Sequence, residues 1–373
     1  MTYNNQEWSR RKFIIGMTTA GTAIMLNPFP SWATGENDPR VVKILAKTIG
    51  IDTHNHIDVP FKVETFLNQK YDLATEIKKS GFSAICMTFA VDRPLLTKTD
   101  EAYERFLISL DEMDEILKAN NMKRALNLSD LKKAKKQNTP IVIQSVEGGH
   151  FLEGQIERLE IAYKRGLRHL GLLHDNQPSI PIGDIYTNPA QFGGLTEFGK
   201  TIVKESNKLG ILLDLAHCSN EAINDAIKIS TKPVLISHTG LNTQLGKNEK
   251  MAKMMLPRLI SKEQAKIVAD AGGVIGIWTH LADSPLEYAH NIRALADVVG
   301  TEHVCIGTDS KMTTPANSND RFEKNTNQSW GNEKEGFFYN VVDAMLKTGF
   351  TEDEIIKIGG GNYCRIFDTA TVL

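Results

Sequence analysis

The sequence predicts a single (β/α)8 barrel. Three observations predict it. Eight short apolar runs rich in β-branched residues read as strands buried on both faces. Helix-length amphipathic stretches separate them. No linker-like shift in composition and no internal repeat divides residues 40–370. The chain of 373 residues is 41% hydrophobic and 24% charged, with a formal net charge of -2. That composition excludes collagen-like, coiled-coil and wholly disordered chains. Near-neutral charge argues against a nucleic-acid partner, which needs a basic surface.

The predicted strands, in order, are Gly50–His54, Phe82–Ala90, Pro140–Glu147, His169–His174, Ile211–His217, Pro233–His238, Gly273–Trp278 and His303–Asp309. Between the fourth and fifth, Leu195, Phe198, Ile202, Val203 and Leu209 recur at helical spacing. Ser261 with Gln264, and Thr351 with Glu354, have the spacing of capping boxes that open helices. Lys132–Lys136 reads as a solvated helix face. The four cysteines, 86, 218, 305 and 364, form no CxxC pair, against a zinc ribbon or a thioredoxin-type site. Cys86 and Cys305 fall inside strands and read as small buried hydrophobes.

Residues 1–33 read as an address. Ser9-Arg10-Arg11-Lys12 precedes a mildly apolar run to about Leu26, then Pro28-Phe29-Pro30-Ser31-Trp32-Ala33. Paired arginines and small residues at the -3 and -1 positions fit a twin-arginine export signal. The apolar run is shorter than the ~20 residues a membrane span needs, so no stable anchor is expected. The expected product, residues 34–373, is one barrel domain in the periplasm, delivered by the twin-arginine machinery.

The strand ends carry the chemistry. Strand one ends in Asp52-Thr53-His54-Asn55-His56, and strand three in Glu147-Gly148-Gly149-His150. Strands four, five, six and eight end in His174, His217, His238 and Asp309. In a barrel these ends converge on the face where active sites are built. Imidazole and carboxylate together suit zinc or a similar divalent ion. Residues i and i+2 of a strand point the same way, so His54 and His56 can grip one ion. Glu147 has two oxygens and can bridge to a second ion held by His217 and His238. Asp309 closes beside the first. Two such ions activate a bridging water and polarise a carbonyl together.

With those motifs assembled, the chain resembles the renal (membrane) dipeptidase family of binuclear zinc peptidases, within an amidohydrolase-like superfamily. The matching segments are Glu147-Gly148-Gly149-His150, Leu172-Leu173-His174, Leu213-Asp214-Leu215-Ala216-His217-Cys218-Ser219, Ile236-Ser237-His238 and Gly307-Thr308-Asp309. Arg258-Leu259-Ile260-Ser261-Lys262-Glu263 and the C-terminal Gly361-Asn362-Tyr363-Cys364-Arg365-Ile366-Phe367 also match. The resemblance implies Glu147 as bridging ligand, His217 and His238 on the second ion, and Asp309 as ligand and proton shuttle. It implies that His174 polarises the scissile carbonyl and that Arg258 holds the substrate's free carboxylate. A small dipeptide-like substrate, two zinc ions and a homodimer follow from the same resemblance.

Two departures from the family stand out. Strand one carries His54-x-His56 where the family has His-x-Asp. After Asp309 the family's Phe-Asp-Gly is replaced by Ser310-Lys311-Met312 and a polar run to about Glu335, of a length typical of lids or disorder. These departures keep two other readings open. One is a different amidohydrolase reaction on a specialised metabolite. The other is a non-catalytic periplasmic binding protein on a degenerate barrel. His150 is expected only to support the Glu147 turn, and no role is assigned to His169, His280, His290 or His303.

Overall fold

The computed structural model describes residues 38–57, 72–187, 189–313, 325–331 and 335–372. The proposed export signal, 1–33, lies outside the described residues. Asp38–Leu373 forms one compact unit. Its strands are β1 (Ile51–His56), β2 (Ala84–Thr88), β3 (Ile141–Val146), β4 (Leu167–Gly171), β5 (Leu212–Asp214), β6 (Leu235–Thr239), β7 (Val274–Ile277), β8 (Val304–Ile306) and β9 (Ser310–Lys311). All pair in parallel, in the order β8-β7-β6-β5-β4-β3-β2-β1-β9. The two ends of this order are the two halves of the eighth barrel strand, interrupted by Gly307-Thr308-Asp309. β8 pairs with β7, β9 pairs with β1, and Asp309 N–H donates to the His54 carbonyl. The sheet therefore returns on itself, and the predicted barrel is what the chain builds.

Helices cross between successive strands, as the amphipathic stretches predict. Leu73–Ser80, Glu157–Lys164, Glu197–Leu209, Asn220–Ile229 and Pro285–Val299 each follow one strand. Strand alternation sorts the core into two shells. Ile51, Cys86, Ile143, Leu212, Leu235, Val274 and Cys305 form one buried cluster with Tyr363 and Phe367 of the C-terminal helix Asn362–Thr371. Ile85, Val142, Leu213, Ile236 and Ile275 face the other way, into the layer shared with the crossover helices. The C-terminal helix covers the barrel end where strands begin. Arg365 donates to the carbonyls of Gly272 and Glu302, just before β7 and β8.

Local chemistry mostly follows the sequence reading, with three corrections. Thr351 and Glu354 form a full capping box. Ser261 accepts from the Gln264 N–H, but the Gln264 side chain turns away to Asn224, so that box is half made. Lys132, Lys133 and Lys136 are solvated, whereas Lys135 leans inward and donates to the Leu45 carbonyl at 2.8 Å. The polar run after Asp309 is not wholly a loop. Ser310–Lys311 extends the sheet, Met312 N–H donates to Asn55 Oδ1 at 2.7 Å, and Asn55 also donates to Thr326 at 2.9 Å. Asn55 on β1 supplies the anchors that hold this segment. Residues 314–324 and 332–334 lie outside the described residues.

One buried charge carries a stability prediction. Glu112, in the helix Glu101–Ala119, is 5% exposed, and neither carboxylate oxygen has a hydrogen-bond partner among the described residues. Burial, with Asp111 adding to it, pushes its pKa up to about 7. The folded chain thus keeps a proton that the unfolded chain loses near pH 4.5, so stability falls as pH rises between those values. Glu112→Gln is expected to raise stability by about 2 kcal/mol at pH 8 and to leave it unchanged at pH 4. Thermal melts at the two pH values check this; equal shifts at both would refute it.

Candidate metal centre

The C-terminal strand ends gather the predicted residues into one cluster. His54 and His56 project from β1 and His238 from β6. Glu147 stands one residue beyond β3 and bridges to Ala90 beyond β2. The fourth and fifth strands stop earlier than the sequence suggests, at Gly171 and Asp214, so His174 and His217 lie in the loops that follow. His217 and Asp309 have φ of 66° and 51°, a left-handed conformation that few non-glycine residues adopt. That backbone turn is what aims both side chains back over the barrel mouth. Small residues beneath permit the close packing: a Cβ at Gly307 would overlap the Ser237 carbonyl.

Glu147 is the centre of the cluster. Its Oε1 lies 2.8 Å from His217 Nε2, 3.5 Å from His54 Nε2 and 3.7 Å from His238 Nε2. Its Oε2 lies 3.3 Å from His174 Nε2 and 3.6 Å from His56 Nε2. Asp309 Oδ1 approaches His56 Nε2 at 3.3 Å and His54 Nε2 at 3.8 Å. Two pairs of imidazole nitrogens nearly touch: His54 with His56 at 3.2 Å, and His217 with His238 at 3.0 Å. In each pair at most one of the facing nitrogens can carry a hydrogen, so at least one lone pair points into the cluster.

The set fits divalent cations. Glu147 Oε2 is buried and has no hydrogen-bond partner among the described residues. Three groups have donor atoms within 4.8 Å of one another: His54, Glu147 and His238; His54, His56 and Asp309; and Glu147, His174 and His217. Burial holds His54 well below its usual pKa and His238 down at about 4, the neutral form a metal ligand requires. For Glu147, burial acts upward, but His174, His54 and His217 outweigh it and keep the carboxyl well below its usual range. Burial would likewise lower His217, yet Glu147 and Asp175 hold it up at about 9. The cluster is built for positive charge at its centre.

Outer partners fix each ring. His54 Nδ1 and His238 Nδ1 both meet Ser237 Oγ, at 3.2 and 2.9 Å. His217 Nδ1 meets Asp175 at 3.1 Å and His174 Nδ1 meets Asp92 at 2.7 Å. For His54, His217 and His238 such partners set the tautomer so that Nε2 presents its lone pair inward, whereas His174 stands between two carboxylates, Asp92 at Nδ1 and Glu147 at Nε2. Asp52, buried beneath, accepts from Thr308 N–H and Oγ1 at 2.9 and 2.7 Å and ties β1 to the break in the eighth strand.

Arg258 ends a short turn, Leu256–Arg258, before the helix Lys262–Asp270. Another helix, Glu249–Met255, occupies the interval between His238 and Arg258. Arg258 lines a cavity of about 280 Å³ with His217, His238, Tyr186 and Trp278. Pockets for drug-sized ligands run from roughly 300 Å³ upward, so this one suits a smaller molecule. Cys218 lines it too, but its thiol is pushed above its usual range by burial, and none of the four cysteines is paired.

Sequence reasoning missed several residues here. His280, assigned no role, places Nε2 2.7 Å from Asp309 Oδ2 and must be added to the site. It lies just past β7, and the strand-end position was the available signal. His169 and His303 have structural partners, Asp214 and the Gly273 carbonyl. His150 Nε2 meets the Asn176 carbonyl at 2.7 Å, so it braces the loop after β4. Asp92, Asp175, Tyr186 and Ser237 had no sequence signal of their own.

A parallel barrel with a buried carboxylate ringed by imidazoles at its C-terminal face defines a metal-dependent hydrolase. The model of the family described as "Membrane dipeptidase (Peptidase family M19)" matches residues 39–373. The chain belongs to that family of metallo-dipeptidases. Its fold is shared with an amidohydrolase from Pseudomonas aeruginosa, at 22% identity and TM-score 0.71 over 88% of this chain and 98% of that one. The probable dipeptidase PvdM from Pseudomonas aeruginosa aligns at 15% identity and TM-score 0.71, over 89% of this chain and 97% of its own. A metallo peptidase from Rhodobacter sphaeroides, liganded with a phosphinate mimic of the dipeptide L-Ala-D-Ala, aligns at 16% identity and TM-score 0.63, over 87% and 99%. Among the described residues, no helix is long and apolar enough to cross a membrane.

Proposed function

We propose that the protein is an exported, periplasmic zinc dipeptidase that cleaves the peptide bond of small dipeptides. The observation that carries this reading is the convergence of His54, His56, Glu147, His217, His238 and Asp309, beside a small cavity that includes Arg258. The dipeptide mimic held by the Rhodobacter sphaeroides relative supports the substrate class. The twin-arginine pattern at Ser9-Arg10-Arg11-Lys12 supports export.

His54, His56 and Asp309 would hold one zinc ion, His217 and His238 the other, and Glu147 would bridge them. Bound there, the pair supplies Lewis acidity to the substrate carbonyl and lowers the pKa of the attacking water. Arg258 pairs its planar fork with the α-carboxylate of the dipeptide. His174, oriented by Asp92, offers an N–H at Nε2 to the carbonyl oxygen as negative charge develops. Asp309 takes the water's proton and returns it to the leaving amine, with His280 Nε2 2.7 Å from its Oδ2. His56 replaces the family's aspartate as a neutral donor and reaches the same centre, 3.3 Å from Asp309.

The test is elemental analysis of the chain from Thr34, alongside hydrolysis of a panel of L,L and L,D dipeptides. About two divalent ions per chain with chelator-sensitive hydrolysis is the expected result. Bound metal without dipeptide turnover would move the function to another metabolite. Absence of metal after reconstitution would favour a binding protein.

A further inference from the structure

Asp175, the residue after His174, is the meeting point of the metal centre and the cavity. Its Oδ1 lies 3.1 Å from His217 Nδ1 and accepts from the Tyr186 hydroxyl at 3.0 Å and Arg258 Nη2 at 2.8 Å. Its Oδ2 accepts from Arg93 Nη2 at 2.5 Å. Arg258 also donates from Nε to the Tyr186 oxygen at 2.6 Å. The Nε–Nη2 edge of the guanidinium is thus taken up inside the protein. The edge formed by Nη1 and the outer Nη2 hydrogen remains to pair with one carboxylate. The Asp175 and Arg258 side chains are 19% and 21% exposed, so the pair is mostly shielded from water.

We propose that Asp175 is a positioning residue shared by both halves of the site: it holds His217 for the metal and Arg258 for a substrate bearing a free α-carboxylate. This rests on the reading of Arg258 as the carboxylate-binding residue. A guanidinium pinned along one edge loses little rotamer freedom when the substrate arrives, which favours carboxylate-bearing substrates over neutral ones. An imidazole whose Nδ1–H is held by a carboxylate is a more basic ligand, and losing such a partner typically weakens metal binding about 10- to 100-fold. One side chain therefore sets two separately measurable properties. Asp92 and Arg93 strengthen the arrangement, because they pair with His174 and Asp175 in turn and tie the loop after β2 to the loop after β4.

The experiment compares an L,L dipeptide with its C-terminal amide under saturating zinc. The readout is the ratio of the two kcat/KM values. Zinc affinity is measured separately, by competition with a chelating dye. Asp175→Asn keeps an acceptor oxygen and removes the charge. It is expected to lower the ratio about tenfold, through KM of the free dipeptide, and to weaken zinc binding at least tenfold. Tyr186→Phe removes the second hold on Arg258 and one donor to Asp175, and leaves the Asp175 contacts to His217 and Arg258 in place. It is expected to lower the ratio about threefold without moving zinc affinity, and it decides the matter if Asp175→Asn does not fold. Arg258→Gln is the control. If it leaves the ratio unchanged, the carboxylate reading of Arg258 falls, and the proposal with it. If Arg258→Gln abolishes the preference while Asp175→Asn alters only the ratio, only zinc binding or neither, the shared role alone is overturned. An unchanged ratio in Tyr186→Phe also overturns it.

Discussion

Glu147→Gln is expected to lower dipeptide hydrolysis by roughly 10³-fold and to cut bound zinc by at least half, with cooperative melting retained. The carboxylate is 3% exposed and surrounded by His54, His174, His217 and His238. Removing one partner of a buried charged set costs about 3–5 kcal/mol, which corresponds to roughly two to four orders of magnitude in rate. Glutamine keeps the side-chain volume, and the close approach to Gly171 is made by the Glu147 backbone, which the substitution does not alter. It presents one carbonyl oxygen where two ions would each need a carboxylate oxygen. Elemental analysis and initial rates on the same preparation check this. Full zinc content with wild-type turnover would remove Glu147 from the centre of the mechanism.

Asp309→Asn is expected to lower kcat by about 10²- to 10⁴-fold under saturating zinc, with KM changed only a few-fold. The backbone argument makes asparagine the informative substitution. Asp309 has a φ of 51°, which asparagine tolerates as well as aspartate. The amide cannot take up a proton as the carboxylate does, whereas the fold of the loop should persist. Alanine would confound the two effects by adding backbone strain. Single-turnover rates at fixed zinc concentration separate loss of proton transfer from loss of metal. A fall of less than tenfold in kcat would assign the proton to another group.

Much of the site was legible because a barrel converts sequence position into spatial position. A polar residue at the end of a β-branched run lands on one face, whichever run it ends. His54, His56, Glu147, His238 and Asp309 were found that way. His280 was equally available by position, yet it stands alone after Trp278-Thr279 with no motif around it. Arg258 came only through resemblance, since nothing local distinguishes an arginine before a helix.

Asp175, Asp92, Tyr186 and Ser237 were not legible. Each acts by touching an imidazole or guanidinium brought from a distant segment, as Ser237 meets His54 and Asp92 meets His174. Loop geometry was equally hidden. The left-handed turns at His217 and Asp309 depend on packing around them; both residue types tolerate a positive φ, but most of the other described histidines and aspartates do not adopt one.

The amino-acid sequence by itself determined the eight βα units, strands buried on both faces and the donor types at the strand ends. Those follow from periodicity and coordination chemistry, which are local properties of the chain. Tertiary structure alone decided how the eighth strand divides to close the sheet, which carboxylate backs which histidine, and that Asp175 stands between metal centre and cavity. Those depend on loops meeting across the barrel mouth, where distance in space has no counterpart in distance along the chain.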